Sequence, residues 1–101
     1  MLFTEFDAMR YGFSKRLRAD TITLETCRTA VRSQPLSDIV LERLQSCAHK
    51  LAGAAENFGF WSVSSAALKL EDSVINRRHG SGTPGELEAD LNALLVCIDR
   101  E

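Results

Sequence analysis

Apolar residues recur along this chain at the three- and four-residue spacing of amphipathic helices, in five separate stretches. They cover, in order, residues 4–18, residues 22–33, the stretch from Pro35 or Ser37 to Phe58, the stretch from just after Ser62 to about Arg78, and the chain from Pro84 onward. Strand signals are almost absent, since the alternating residues 21–24 have no second strand to pair with. The pattern therefore predicts an all-α protein.

Polar and glycine residues mark the ends of these helices. Capping boxes are predicted at Thr4 with Asp7 and at Thr83 with Glu86. Pro35 ends the second helix, because the residue before a proline avoids the helical region. The remaining signals are Ser62 as an N-cap, Pro84 in the first helical position and Gly59 in a left-handed C-terminal cap. Long helices joined by short loops favour an antiparallel up-and-down four-helix bundle, with the first helix as an additional N-terminal element.

Length, charge and composition narrow the function classes. The 101 residues form one domain, residues 1–101, and the net charge of −2 argues against nucleic-acid binding. No apolar run is long enough to span a membrane, and acidic residues follow the start too closely for a secretory signal. Three widely spaced cysteines predict reduced, mostly buried thiols in a cytoplasmic protein. No metal site is expected, because Cys47 and His49 point to different sides of a helix.

The third helix carries a histidine on its polar side. At about 100° per residue, with Leu51 at the centre of the apolar face, His49 lies about 160° away. Its neighbours on that side are Glu42, Gln45, Ser46, Gly53 and Glu56. Gly53 costs about 1 kcal/mol relative to alanine inside a helix, and it lies one turn after His49. We therefore expect Gly53, together with Ser46 and Ala52, to leave room for a partner to reach the imidazole.

The segment from Ala48 to Glu71 resembles histidine-containing phosphotransfer (HPt) domains. The residues in register with that family's pattern are His49, Leu51, Gly53, Ala54, Ala55, Gly59 and the Leu70-Glu71 pair. One departure is Ala52, which replaces a lysine common in the family. Such a lysine would lie beside the phosphoryl group, so Lys50 and Lys69 are candidates to supply the missing charge.

The resemblance implies a phosphoryl carrier rather than an enzyme. His49 would accept the phosphoryl group from a receiver-domain aspartate and pass it to another receiver. The partners would be response-regulator receivers and a hybrid sensor histidine kinase, and the Mg²⁺ would belong to the receiver rather than to this chain. Glu71 is implied to accept a hydrogen bond from the imidazole Nδ1 and fix its tautomer, with Gln45 as a second candidate. A monomer is the default for a bundle that closes its own core.

The fourth helix suggests where a partner docks. Leu68 and Ile75 lie opposite its apolar stripe and, if exposed, form a patch beside the histidine face. The alternative is that the N-terminal helix covers them. Phe60 and Trp61 are expected to plug the end of the bundle, and His79, in a glycine-rich loop, is assigned no role.

Two other functions compete with phosphotransfer. Sensor-kinase dimerisation domains also present a histidine on a helix, but they often carry an acidic residue directly after it, where this chain has Lys50. A helical adaptor that binds receiver or kinase domains without being phosphorylated stays open, given Ala52. No paired carboxylates, serine–histidine set or cofactor loop supports a hydrolase or an oxidoreductase.

Overall fold

The computed structural model describes residues 4–33 and 36–101, which form four helices without a strand. The helices are α1 (Glu5–Arg32), α2 (Asp38–Asn57), α3 (Trp61–Arg78) and α4 (Pro84–Asp99). Each packs against its neighbours in chain order, and α1 also packs against α4, whereas α1 does not contact α3. This closes a four-helix bundle, as the sequence predicted, with α1 diagonal to α3.

The separate N-terminal helix is the part of the prediction that is wrong. The first two predicted helices form one helix of 28 residues, α1. The junction contains no glycine or proline, and its polar residues bond within the helix. Asp20 pairs with Arg16 at 3.6 Å, and the Thr21 hydroxyl donates to the Leu17 carbonyl. Residues 4–12, the first turns of α1, are all exposed, although the Phe6 ring lies 5.8 Å from that of Phe58 and Arg10 lies over the ring of Phe60.

Most of the predicted helix ends are confirmed. The Thr4–Asp7 capping box forms. At α4 half of the predicted box forms, because the Thr83 hydroxyl accepts from the Glu86 N–H, with Pro84 in the first turn, while the Glu86 side chain does not bond back to the Thr83 backbone. Ser37 is the N-cap of α2, while Gln34 and Pro35 lie outside the described residues. The Ser62 prediction is wrong because α3 begins two residues earlier than expected, at Trp61, with Phe60 rather than Ser62 in the N-cap position.

The turn between α2 and α3 is fixed by glycine and by aromatic packing. Gly59 adopts φ +79°, a left-handed conformation that glycine takes without strain. The following Phe60 N–H then donates to the Ala55 carbonyl at 2.9 Å. Phe13 of α1 packs against the rings of Phe58 and Phe60, with 5.3 Å between centroids in each case. This turn holds α2 and α3 in a fixed register, and that register positions the site described next.

The expectation that Phe60 and Trp61 plug the bundle end is correct for only one of them. Phe60 is buried, whereas Trp61 is 65% exposed at the start of α3. Buried residues of all four helices make up a single core, and they are mostly leucine, valine and alanine. Cys27 belongs to it, while Cys47 and Cys97 are half-buried, and all three cysteines are free. Burial raises the pKa of Cys47 to about 11, so this thiol stays protonated at neutral pH.

Candidate functional site

His49 stands on the outer face of α2, clear of the core. Its side chain is 75% exposed. The prediction that this histidine lies opposite the apolar stripe is confirmed, since the buried residues of α2 lie on the other side. They are Leu41, Leu44, Ala48, Leu51, Ala52 and Ala55. The helix therefore presents the imidazole to solvent from the middle of a rigid element.

One ring nitrogen of His49 is held by α3. The Nδ1 atom lies 2.8 Å from Oε2 of Glu71, whose side chain is only 15% exposed. A carboxylate only accepts hydrogen bonds, so this contact requires the proton on Nδ1. The other nitrogen, Nε2, then keeps a free lone pair. The pairing implied for Glu71 is thus present in the geometry, and it comes from the fixed register of α2 and α3.

Gly53 leaves open space beside the imidazole. A Cβ atom built on it would meet nothing within 4 Å. Side chains on a helix lean toward its N-terminus, so a side chain at residue 53 would extend over His49, one turn earlier. Neither α1 nor any other described element covers this position. The glycine therefore keeps backbone exposed next to the ring, as the sequence analysis expected.

Ala52 does not share that open face, and its assignment as a residue of partner access is wrong. It is 4% exposed and faces α3, where its carbonyl accepts a 2.9 Å hydrogen bond from the buried Ser64 hydroxyl. The sequence analysis took Leu51 as the centre of the apolar face of α2. The buried face is in fact rotated toward Ala48 and Ala52, which are both buried. Small residues at these positions let the two helices approach closely. Ser46, by contrast, is exposed near His49.

Neither lysine predicted to support a phosphoryl group faces His49. Lys69 lies about 200° round α3 from Glu71 and approaches Asp90 of α4, with 3.8 Å between Nζ and Oδ1. Lys50 lies about 100° round α2 from His49, on another face of the helix. The assignments of Lys50 and Lys69 as phosphoryl-supporting residues are therefore wrong for the same reason. An offset of one residue from His49, or of two from Glu71, turns a side chain to another face of its helix.

A shallow concavity beside His49 contains a cation that sequence reasoning missed. Its volume is about 390 Å³, and it is lined by Glu42, Gln45, Ser46, His49, Glu71 and Arg78. The Arg78 guanidinium donates to Oε1 of Gln45 at 2.6 Å. Gln45 was expected to bond the imidazole, but its amide oxygen serves Arg78 and Glu71 holds Nδ1. The signal for Arg78 was its spacing of seven residues from Glu71, which places both on one face of α3.

Apolar side chains continue the surface along α3. Leu68 is 51% exposed, so the alternative that the N-terminal helix covers it is wrong. Ile75 is half-buried and lines a second shallow concavity with Gln45, Arg78 and His79. Trp61 lies seven residues before Leu68 and shares its face. Of the predicted patch, Leu68 is exposed and Ile75 only borders it, whereas Trp61, which was expected at the bundle end, adds exposed apolar surface to the face of Leu68.

The described part of the chain offers no other obvious chemical centre. Residues 4–33 and 36–101 contain no cluster of three or more histidine, cysteine, aspartate or glutamate side chains able to hold a metal ion. Within the same residues, no helix has both the length and the apolar character needed to cross a membrane. The His49 face is thus the place where exposure, a hydrogen-bonded imidazole and a concavity coincide.

Comparison with known families gives one match. The family model described as the Hpt domain matches residues 17–100, which covers α2, α3 and α4 and the larger part of α1. The searches of curated proteins and of solved structures returned no match.

Proposed function

The chain belongs to the family of Hpt domains, the histidine phosphotransfer carriers of phosphorelays, and from that premise we propose that it carries a phosphoryl group on His49 between receiver-domain aspartates. The observation that supports this most directly is the state of the imidazole. Its Nδ1 is bonded to Glu71 at 2.8 Å, while the ring is 75% exposed. A histidine fixed in one tautomer, with Nε2 open to solvent, is what an incoming phosphoryl group requires.

The transfer step follows from this arrangement. The Nε2 lone pair attacks the phosphorus of an aspartyl phosphate, the phosphorus–oxygen bond to the aspartyl carboxyl breaks, and the aspartate leaves as a carboxylate. The imidazole keeps its Nδ1 proton and becomes a cation when the nitrogen–phosphorus bond forms. Glu71 stabilises that positive charge through the hydrogen bond it already accepts. Transfer to the next receiver reverses these changes.

The chain itself has little to add to the chemistry beyond positioning. Phosphoryl transfer depends on alignment and on charge neutralisation. We place Mg²⁺ and its acidic ligands on the partner receiver, in keeping with the family. The contribution of this chain is the rigid bundle that holds His49 and Glu71 at a fixed separation, and the bare backbone at Gly53 that lets a receiver approach.

The docking surface we propose extends from Gly53 to α3. Leu68 and Trp61 are 51% and 65% exposed, and both lie on the side of α3 that α1 leaves free. Their apolar area beside an exposed histidine fits a receiver that presents an apolar helix, because such contact removes the area from water. A hybrid sensor kinase would present such a receiver upstream and a response regulator would present one downstream. We place the exchange in the cytoplasm, with this chain as a monomer.

The competing adaptor function is favoured by a single observation, the buried Ala52 where the family commonly has a lysine. Both functions predict receiver binding, but only the carrier takes up phosphate. The distinguishing experiment incubates the chain with a phosphorylated receiver and Mg²⁺, beside a His49→Gln variant. Acid-labile label on the wild type alone supports the carrier. Binding without label on the wild type, with several receivers, supports the adaptor and contradicts the carrier.

A further inference from the structure

Arg78 lines the same concavity as His49. Five other residues line the same concavity, and two of them, Glu42 and Glu71, are acidic. A phosphoryl group brings negative charge against these carboxylates. Arg78 is the cation in that lining, which includes neither Lys50 nor Lys69, and residue 52 is a buried alanine.

The backbone directs the side chains on both helices toward a common point. On α2, His49 and Gln45 lean toward the helix N-terminus, which lies beside the C-terminal end of the antiparallel α3. On α3, Arg78 leans back toward Glu71 for the same reason. The side chains of His49 and Arg78 therefore converge on the concavity from opposite ends. Gln45 occupies one of the five guanidinium donors, at 2.6 Å, and leaves the others for a ligand.

We propose that Arg78 binds the phosphoryl group carried by His49, and that Gln45 is a positioning residue that holds the guanidinium ready. This inference rests on the proposed function. Arginine suits the role because its planar fork makes charge-assisted hydrogen bonds to phosphate oxygens. The chain thus supplies from the end of α3 the charge that the family commonly places on α2.

The test measures the equilibrium distribution of the phosphoryl group between this chain and the receiver. That distribution depends on how strongly each protein stabilises the group, whereas weaker docking only slows transfer in both directions. Each variant is mixed with a phosphorylated receiver until the ratio of phosphohistidine to phosphoreceiver is constant. We expect Arg78→Gln to lower this ratio about tenfold, which is the loss of one charge-assisted hydrogen bond. Arg78→Lys should restore part of it, since it keeps the charge without the fork. Gln45→Ala should lower it less than Arg78→Gln.

The matched control is Lys50→Gln, which removes another exposed positive charge, one residue from His49, and should leave the ratio unchanged. Melting curves check that each variant is folded. An Arg78→Gln variant with the wild-type ratio overturns the proposal, even if transfer is slower in both directions, since that result assigns Arg78 to docking alone. If wild type takes no label from either a receiver or phosphoramidate, the proposed function itself fails, and the role of Arg78 fails with it.

Discussion

Replacing Gly53 should change stability and phosphotransfer in opposite directions. Glycine inside a helix costs about 0.8–1 kcal/mol relative to alanine. A Cβ at this position meets nothing within 4 Å, so no clash reduces that gain. We therefore expect Gly53→Ala to raise the free energy of unfolding by nearly the full amount. For a domain of this size, 1 kcal/mol corresponds to an increase in Tm of about 4 °C or more.

The functional cost depends on the size of the new side chain. A side chain at residue 53 leans over His49, so a partner backbone loses its approach while a small molecule does not. Gly53→Leu should slow transfer from a phosphorylated receiver by about tenfold or more, a loss of about 1.4 kcal/mol in the transition state. Phosphorylation by phosphoramidate, which needs no docking surface, should proceed at close to the wild-type rate.

Gly12 provides the matched control. It is also exposed inside a helix, and a Cβ there also meets nothing within 4 Å, but it lies on α1, far along the chain from His49. Gly12→Ala should stabilise the protein by a similar amount and leave transfer unchanged. The reasoning about Gly53 is refuted if Gly53→Leu accepts the phosphoryl group from receivers as fast as wild type, or if both donors slow equally.

Three further predictions concern the bundle that supports the site. Phe13→Ala should lower the free energy of unfolding by about 3 kcal/mol in a urea titration, because it removes the ring packed between Phe58 and Phe60; a loss below 1 kcal/mol would contradict that packing. Ala52→Lys should destabilise the bundle by about 1–3 kcal/mol, because residue 52 is buried against α3, and an unchanged melting curve would show that the lysine escapes to solvent. Burial raises the pKa of Asp20, so ionisation of its carboxyl group disfavours the folded state. The Tm of Asp20→Asn should therefore rise relative to that of wild type as the pH increases above 3.8. A Tm difference that is independent of pH would contradict this.

The sequence was sufficient to predict the elements and the exposed histidine, because both depend on local periodicity. Turn chemistry at Gly59 and capping at Thr4 and Thr83 act over a few residues, and they were predicted correctly. The continuity of α1 was missed because weak helical periodicity around residue 20 resembles a break. No glycine or proline interrupts the helix there, and α1 packs against both α2 and α4. That packing stabilises one continuous helix.

The residues around His49 were harder to predict, since they depend on how two helices are rotated against each other. Glu71 was correctly paired with Nδ1 because the family resemblance fixes the register of α2 and α3. Ala52 was misplaced because the core of α2 is turned toward α3 by a fraction of a helical turn. Arg78 was missed because the contact that holds it near His49 is its hydrogen bond to Gln45. These two residues are 33 positions apart in the sequence, so local periodicity does not reveal the contact.

The most direct test of the central claim is a ³¹P NMR spectrum of the intact chain after exchange with a phosphorylated receiver. The chain has two histidines, and His79 lies exposed in the loop after α3, so His79→Gln is a matched control for His49→Gln. We predict one phosphoramidate resonance in wild type and in His79→Gln, lost on acidification and absent from His49→Gln. A resonance that survives in His49→Gln, or one that is stable to acid, would contradict the claim that His49 carries the phosphoryl group.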